Sequence, residues 1–375
     1  MINRKFWKPS VTSQFKICPV PFHCDTYRGC TYGCLFCFAR DFIQFARRDT
    51  EHPIQSYIEG NDPKGLERWV NRVLEKDYDY NKAEEVAFKE RIPVKIGATA
   101  DPFPFCEKNE RITYEFLKVF QKIDYPVQIS TKNPEIFLGY ADDFIGSNIA
   151  LSVSISFFDD DIARKIECGA ISPTRRLNAI KKISEKGFKV LVRVHPFVLP
   201  YAYDNAEKIV SSIADAGADG FMTEGLKLRV VMPQREKEIY SKIGDVFGMD
   251  IISDFKKNGV IEGGDREYNN FDKAKMLERF DSLAKKYGVK FYNADNFVGN
   301  YGCGCECCGT EFLRNHKVWG GCTRAKFFPV SNHSDKFGKC KVNFLRSKKN
   351  IEKTIEEVCQ ESSNINDNKD QDKLF

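Results

Sequence analysis

The sequence predicts an α/β fold in which parallel strands alternate with helices and wind into a barrel or an open doubly wound layer. Two observations carry this expectation. Short β-branched runs recur between longer segments of helical periodicity. The stretches between successive strands are long enough for right-handed crossovers. The chain has 375 residues, 42% of them hydrophobic, which suffices for one large α/β domain or two ordinary ones.

The elements follow in order. Pro93 to Ala98 (PVKIGA) reads as a buried strand, and Asn109 to Lys122 as a helix with Ile112, Phe116, Val119 and Phe120 on one face. Pro126 to Thr131 is the next strand and Asn133 to Tyr140 a short helix. Ile149 to Ser156 is a strand, then Pro173 to Lys186 a helix closed by Gly187. Phe188 to Val194 is a strand, Asn205 to Ala216 a helix, Gly220 to Thr223 a short strand, Met276 to Lys286 a helix and Val289 to Tyr292 a last strand. About six βα units fit a partial or complete barrel, whose chemistry gathers at the C-terminal ends of its strands. Glu352 to Phe375 is polar and charged and reads as a disordered tail after a short helix.

Mean hydropathy is −0.44, and no apolar run is long enough for a membrane span. Met1 to Ser10 is basic without an apolar stretch behind it, so it does not read as a secretory signal. Fourteen cysteines are many, and seven of them fall in two tight groups, at 30, 34 and 37 and at 303, 305, 307 and 308. Near neighbours rarely reach disulfide geometry with one another, so the grouping points to metal ligation in a reducing, cytoplasmic setting. Net charge is +5; the last 25 residues carry seven acids against three lysines, which leaves +9 on the first 350. That excess suits a polyanionic partner such as nucleic acid, and equally an ordinary solvated surface.

Tyr27 to Arg40 reads YRGCTYGCLFCFAR, with Cys30, Cys34 and Cys37 spaced C-x3-C-x2-C beside Gly29 and Gly33. Three thiolates can hold three irons of a [4Fe–4S] cube and leave the fourth open to a ligand. A closed zinc site would need Cys18, Cys24 or His23 as fourth ligand. The spacing, with Phe36 before the third cysteine and Phe38 after it, resembles the radical SAM superfamily. The longer pattern from Arg28 to Arg40 is similar to the branch that contains spore photoproduct lyase, and a weaker resemblance runs from about Tyr27 to about Pro200.

The resemblance implies a partial (β/α)6-type radical SAM barrel with a Cys-rich C-terminal extension. It divides the chain into an N-terminal extension (1–23), the barrel (24–300), a Cys-rich metal-binding segment (301–345) and a charged tail (346–375). It implies a cluster on Cys30, Cys34 and Cys37 that reductively cleaves S-adenosylmethionine to a 5′-deoxyadenosyl radical, fed by an electron donor such as flavodoxin or ferredoxin. It places cofactor contacts at Phe36 and Phe38, at Thr99 and Asp101 in GATADPF, at Lys132, at Ser154 and Ser156, and at His195 in RVHPF. Read as residues alone, Asp101 also suits a turn, Lys132 a solvated strand end, the serines a small-residue barrel layer, and His195 a satisfied core histidine. Glu167, Arg175 and Arg176 read as loop-ordering groups. In spore photoproduct lyase a hydrogen-donating cysteine stands three residues before this aspartate; here that position is Ala98, which argues for a related but different activity.

Cys303, Cys305, Cys308 and Cys322 are the expected ligands of a second centre, either zinc or another [4Fe–4S] cluster. Three functions stay open. One is a radical enzyme acting on nucleic acid, with Phe6, Trp7 and Lys8, and Trp319, Arg324 and Lys326, available to stack bases and bind backbone. Another is a radical enzyme acting on a peptide or metabolite with an auxiliary cluster. The third is a non-enzymatic nucleic-acid-binding protein with zinc.

Overall fold

The computed structural model describes residues 2–12, 18–39, 58–262, 268–270, 273–294, 302, 307–322, 332–334 and 336. The tail from 346 and the ligand candidates Cys303 and Cys305 lie outside the described residues. Among these, no helix is long and apolar enough to cross a membrane.

Eight strands form the main sheet, in spatial order equal to chain order: β1 (Ser10–Val11), β2 (Phe22–His23), β3 (Val94–Ile96), β4 (Val127–Thr131), β5 (Ile149–Ser154), β6 (Lys189–Phe197), β7 (Gly220–Gly225) and β8 (Lys290–Asn293). β1 and β2 pair antiparallel; every later neighbour pairs parallel. Among the described residues the two edge strands do not pair, so the barrel is partial. The stretch read as an N-terminal extension thus supplies two strands of this sheet.

Alternation decides which side each residue takes. Val94, Ile96, Val127, Ile129, Leu151, Val153, Val190, Val192 and Phe221 belong to the core packed beneath the helices. The intervening residues line the concave face, where Leu191, Met222, Tyr292 and Ala294 form a separate small cluster with Cys307 and Phe312. Of the Cys-rich segment, Cys307 and Phe312 thus pack on the inner face of the barrel, while Val318, Trp319 and Cys322 join the larger core.

The expected helix over 109–122 is two pieces, Glu107–Glu110 and Ile112–Lys122, joined at Arg111 in left-handed conformation (φ 50°). Fully buried Glu107 explains the break: its carboxylate accepts from Thr113 N at 3.1 Å and Tyr114 N at 3.0 Å, which caps the second helix. Helices at Pro63–Glu75, Gln234–Phe247 and Ile251–Asn258, and the three-stranded sheet of Leu228–Arg229, Tyr268–Asn270 and Val260–Glu262, are further elements that the strand–helix rhythm did not reveal.

Candidate active site

The cysteine loop is built at the C-terminal ends of the strands. Tyr27 and Arg28 pair with Gly60 and Glu59 just before it. The loop then turns, with Cys37 N donating to Cys34 O at 3.1 Å, and leans on the segment after the helix Asp160–Ile166. Leu35 N donates to Ile166 O at 2.9 Å, and Gly169 N to Tyr32 O at 2.8 Å. A Cβ on Gly169 would meet Thr31 O at 2.6 Å, so only glycine permits this approach. Tyr32 anchors the far side through its hydroxyl, which donates to Phe103 O at 2.6 Å.

The three thiols are neighbours. Burial, then the Asp101 charge, pushes the Cys30 thiol up to about 12, with Cys37 adding to the rise, while the N–H groups of Tyr32 and Asp101 favour the thiolate. Burial likewise raises buried Cys34 well above a normal thiol; Lys132 opposes this, and Glu167, Cys30 and Cys37 add to it. Three grouped sulfurs that cannot ionise together without a counter-charge are a donor set that a cationic iron centre relieves. Among the described residues no three Cys, His, Asp or Glu side chains are already drawn into a metal-holding group, so the thiols must turn toward a common point to bind one. Their chemistry and grouping fit a [4Fe–4S] cluster with one open iron.

Beside the loop lies a buried charge relay. Glu167 is 1% exposed and contacts Arg176 Nη1 at 2.6 Å and Lys132 Nζ at 3.1 Å. Arg176, also 1% exposed, donates in addition to Ile171 O at 2.8 Å and Ser154 O at 2.9 Å. Burial works to raise the Glu167 carboxyl, but Arg176 and Lys132 hold it below its ordinary value. Lys132 Nζ also stands 5.4 Å from the Phe36 ring centroid. Arg175 turns to the surface and pairs with Glu135, so of the Arg175–Arg176 dipeptide only Arg176 reaches the site.

Asp101 is engaged within the protein. It accepts from Phe103 N at 2.9 Å, Thr131 Oγ1 at 2.8 Å and Lys132 N at 2.6 Å, and so ties the end of β3 to the end of β4. Thr99 is tied too: Asp25 accepts from the amides of Gly97 at 3.1 Å, Ala98 at 2.7 Å and Thr99 at 2.9 Å, and from the Thr99 hydroxyl. Gly97 needs its positive φ of 91°, since a Cβ there would lie 2.1 Å from Ser130 O. Asp101 thereby fixes the backbone of Lys132, and Asp25 fixes the strand end that carries Thr99. Ser156 donates to His195 O at 2.7 Å and joins two strand ends, while Ser154 lies at the mouth. Phe38 is 62% exposed, at the rim.

His195 Nε2 lies 3.3 Å from Glu224 Oε2. Burial, helped by Arg193, Lys132 and Lys227, pushes its pKa down to about 4 against the pull of Glu224, so the imidazole is neutral at pH 7. Asp25, Glu224, Arg193 and Lys95 are site residues that sequence reasoning missed. A lone charge inside a strand of β-branched residues was the available signal for Lys95 and Arg193.

In the second cysteine group, Cys322 is fully buried, and Cys307 and Cys308 are part-buried. Cys308 is held well below a normal thiol by a hydrogen bond from Cys307, against burial, and by Lys95 and Arg193. The aromatic and basic residues expected to stack bases are engaged instead. Trp319 is 2% exposed, Phe6 packs on Gly65, Lys8 pairs with Glu84, and the Trp7 indole donates to Asp25 O at 2.8 Å. Arg324 and Lys326 lie outside the described residues. A depression of about 290 Å³ sits at the other end of the strands, around Asn148, Lys186, Lys189 and Arg314, away from this chemistry.

A three-cysteine loop over the C-terminal mouth of a partial parallel barrel defines a class, and a family model agrees. The radical SAM superfamily model matches residues 25–213, just over half of the chain, and the chain belongs to that superfamily. Members of that superfamily use a [4Fe–4S] cluster and S-adenosylmethionine. Uncharacterised proteins of Mycobacterium tuberculosis and Mycobacterium bovis are each 26% identical over 222 residues, 56% of this chain and 60% of theirs. The match thus spans less than two thirds of those relatives. Spore photoproduct lyase complexed with dinucleoside spore photoproduct superposes with a TM-score of 0.50 at 15% identity, over 76% of this chain and 80% of that one. A variant of the same enzyme with bound AdoMet and dinucleoside spore photoproduct gives 0.51 at 15%, over the same shares. At such identities the likeness is one of fold.

Proposed function

We propose that Cys30, Cys34 and Cys37 hold a [4Fe–4S] cluster and that the enzyme acts on a nucleic acid or one of its nucleotide constituents. The observation that carries the first part is the grouping of three thiols beside the Lys132–Glu167–Arg176 relay at the barrel mouth. Bound there, the cluster and S-adenosylmethionine would supply the radical chemistry. The chain's own residues position and shield. Asp101 fixes the backbone of Lys132, so that its ammonium stands where an anionic carboxylate of the cofactor can be met. Glu167, itself fixed by Arg176, holds that ammonium from behind. Phe36 and Phe157, with ring centroids 6.3 Å apart, cover this side of the site from water. Neutral His195 offers a hydrogen bond at the rim.

The nucleic-acid part rests on the fold shared with spore photoproduct lyase and on the +9 excess of the first 350 residues. A second reading, in which the Cys-rich segment carries an auxiliary zinc or [4Fe–4S] centre and the substrate is a peptide or metabolite, is favoured by the position of Cys307 against the concave face.

Anaerobic iron, sulfide and zinc analysis with and without Cys30→Ala tests the first part and weighs the second. About four irons lost in the variant, together with loss of 5′-deoxyadenosine formation under reduction, is the expected result. About four further irons that survive the substitution would favour the second reading. No iron in the wild type would refute both. Nucleic-acid binding that falls steeply with salt is expected of the first reading.

A further inference from the structure

Between the relay and the Cys-rich segment, the concave face carries more cation than its partners balance. Lys132 is matched by Glu167, and His195 faces Glu224, whose charge Lys227, Arg193 and Lys273 also favour. Lys95 hydrogen-bonds Cys308. Arg193 is different: among the described residues no carboxylate lies within ion-pair distance of it. It feels the charges of Glu224 and Cys308 without pairing with either; its Nη1 donates to Ser130 Oγ at 3.5 Å, and its Nε is buried without an acceptor among the described residues.

Two hydroxyls share this patch. Ser130 and Ser152 are register partners on β4 and β5, and Ser154 of β5 is the register partner of Arg193 on β6. Gln128 Nε2 donates to Ser130 Oγ at 3.0 Å and fixes it. Ser152 is 0% exposed, yet its hydroxyl has no partner among the described residues. Its neighbours Leu151 and Val153 face the helices, so its side chain faces inward. A buried donor left unmade costs about 1–3 kcal/mol, and a guanidinium edge beside such a hydroxyl is a site short of an oxyanion.

We propose that Arg193, Ser130 and Ser152 form a binding subsite for a phosphoryl group of the substrate. A guanidinium fork meets two oxygens of one anion, and hydroxyls from two further strands approach its remaining oxygens, which suits a tetrahedral phosphoryl group better than a planar carboxylate. The inference rests on the reading that chemistry takes place on this face.

The test uses the reconstituted enzyme saturated with S-adenosylmethionine, with inorganic phosphate and, separately, acetate as titrants in calorimetry. Saturable phosphate binding, about tenfold or more weaker in Arg193→Gln and several-fold weaker in Ser152→Ala, with unchanged S-adenosylmethionine affinity, is expected. Should Arg193→Gln fail to fold, Arg193→Lys and Ser152→Ala decide by the same loss of phosphate affinity. Acetate binding as tight as phosphate overturns the phosphoryl assignment. Parallel loss of S-adenosylmethionine affinity also overturns it, because the anion is then the cofactor's own carboxylate. Equal phosphate affinity in wild type and variants overturns it too. Wild-type formation of 5′-deoxyadenosine, scored in the same preparation, tells a failure of this subsite from a failure of the radical-enzyme reading.

Discussion

Replacing Glu167 by Gln keeps the side-chain shape and removes one buried charge. Glu167 and Arg176 are each 1% exposed and 2.6 Å apart, with Lys132 3.1 Å from the other oxygen. After the change Arg176 keeps its bonds to Ile171 O and Ser154 O but loses its ion-pair partner, with only the weaker pull of Asp160 left. Breaking a buried ion pair from one side costs about 3–5 kcal/mol. The retained amide oxygen and carbonyls set the expectation at the lower end, about 3 kcal/mol, or a melting point lower by about 4 °C. Urea unfolding followed by circular dichroism measures it. A double-mutant cycle with Arg176→Met isolates the pair, and the double variant is expected to be more stable than the sum of the single losses by about 1 kcal/mol or more. If Glu167→Gln unfolds within about 0.5 kcal/mol of wild type, the relay does not hold charge in the way described.

Two further outcomes are expected. Gly169→Ala puts a methyl 2.6 Å from Thr31 O and 3.0 Å from Tyr32 Cα, so it should cost about 1–3 kcal/mol and lower the iron retained per chain, both read on the same preparation. His195, with a folded pKa of about 4 against an ordinary 6.5, resists protonation in the folded state. Folding stability should therefore decline as pH falls from about 6.5 toward about 4, since the unfolded chain binds the proton first. His195→Gln should flatten that decline in urea midpoints; an unchanged slope would show that the imidazole is not held neutral.

Much of the fold was legible because its cause is local. Alternation in PVKIGA, PVQIST and FKVLVRV marks strands buried beneath helices, and each appears where expected, within a few residues at the ends. The first cysteine group was legible because its three cysteines lie on one short loop. The sequence also pointed to Lys132 and His195 at strand ends. It could not show that Asp101 is held by the Lys132 amide and Thr99 by the Asp25 carboxylate, because these partners stand 31 and 74 residues away. The break at Arg111 was hidden for a similar reason, since it depends on the buried carboxylate of Glu107.

By itself, then, the sequence determined the alternating α/β architecture and the triad Cys30, Cys34 and Cys37, since both follow from periodicity and spacing along a single stretch of chain. Only the tertiary structure decided that Arg176, and not Arg175, reaches the site, that Trp319 is core, and that Cys307 lies on the inner face of the barrel. Those outcomes depend on which distant groups share a low-dielectric interior, where charge must be matched and donors satisfied, and no local pattern encodes that.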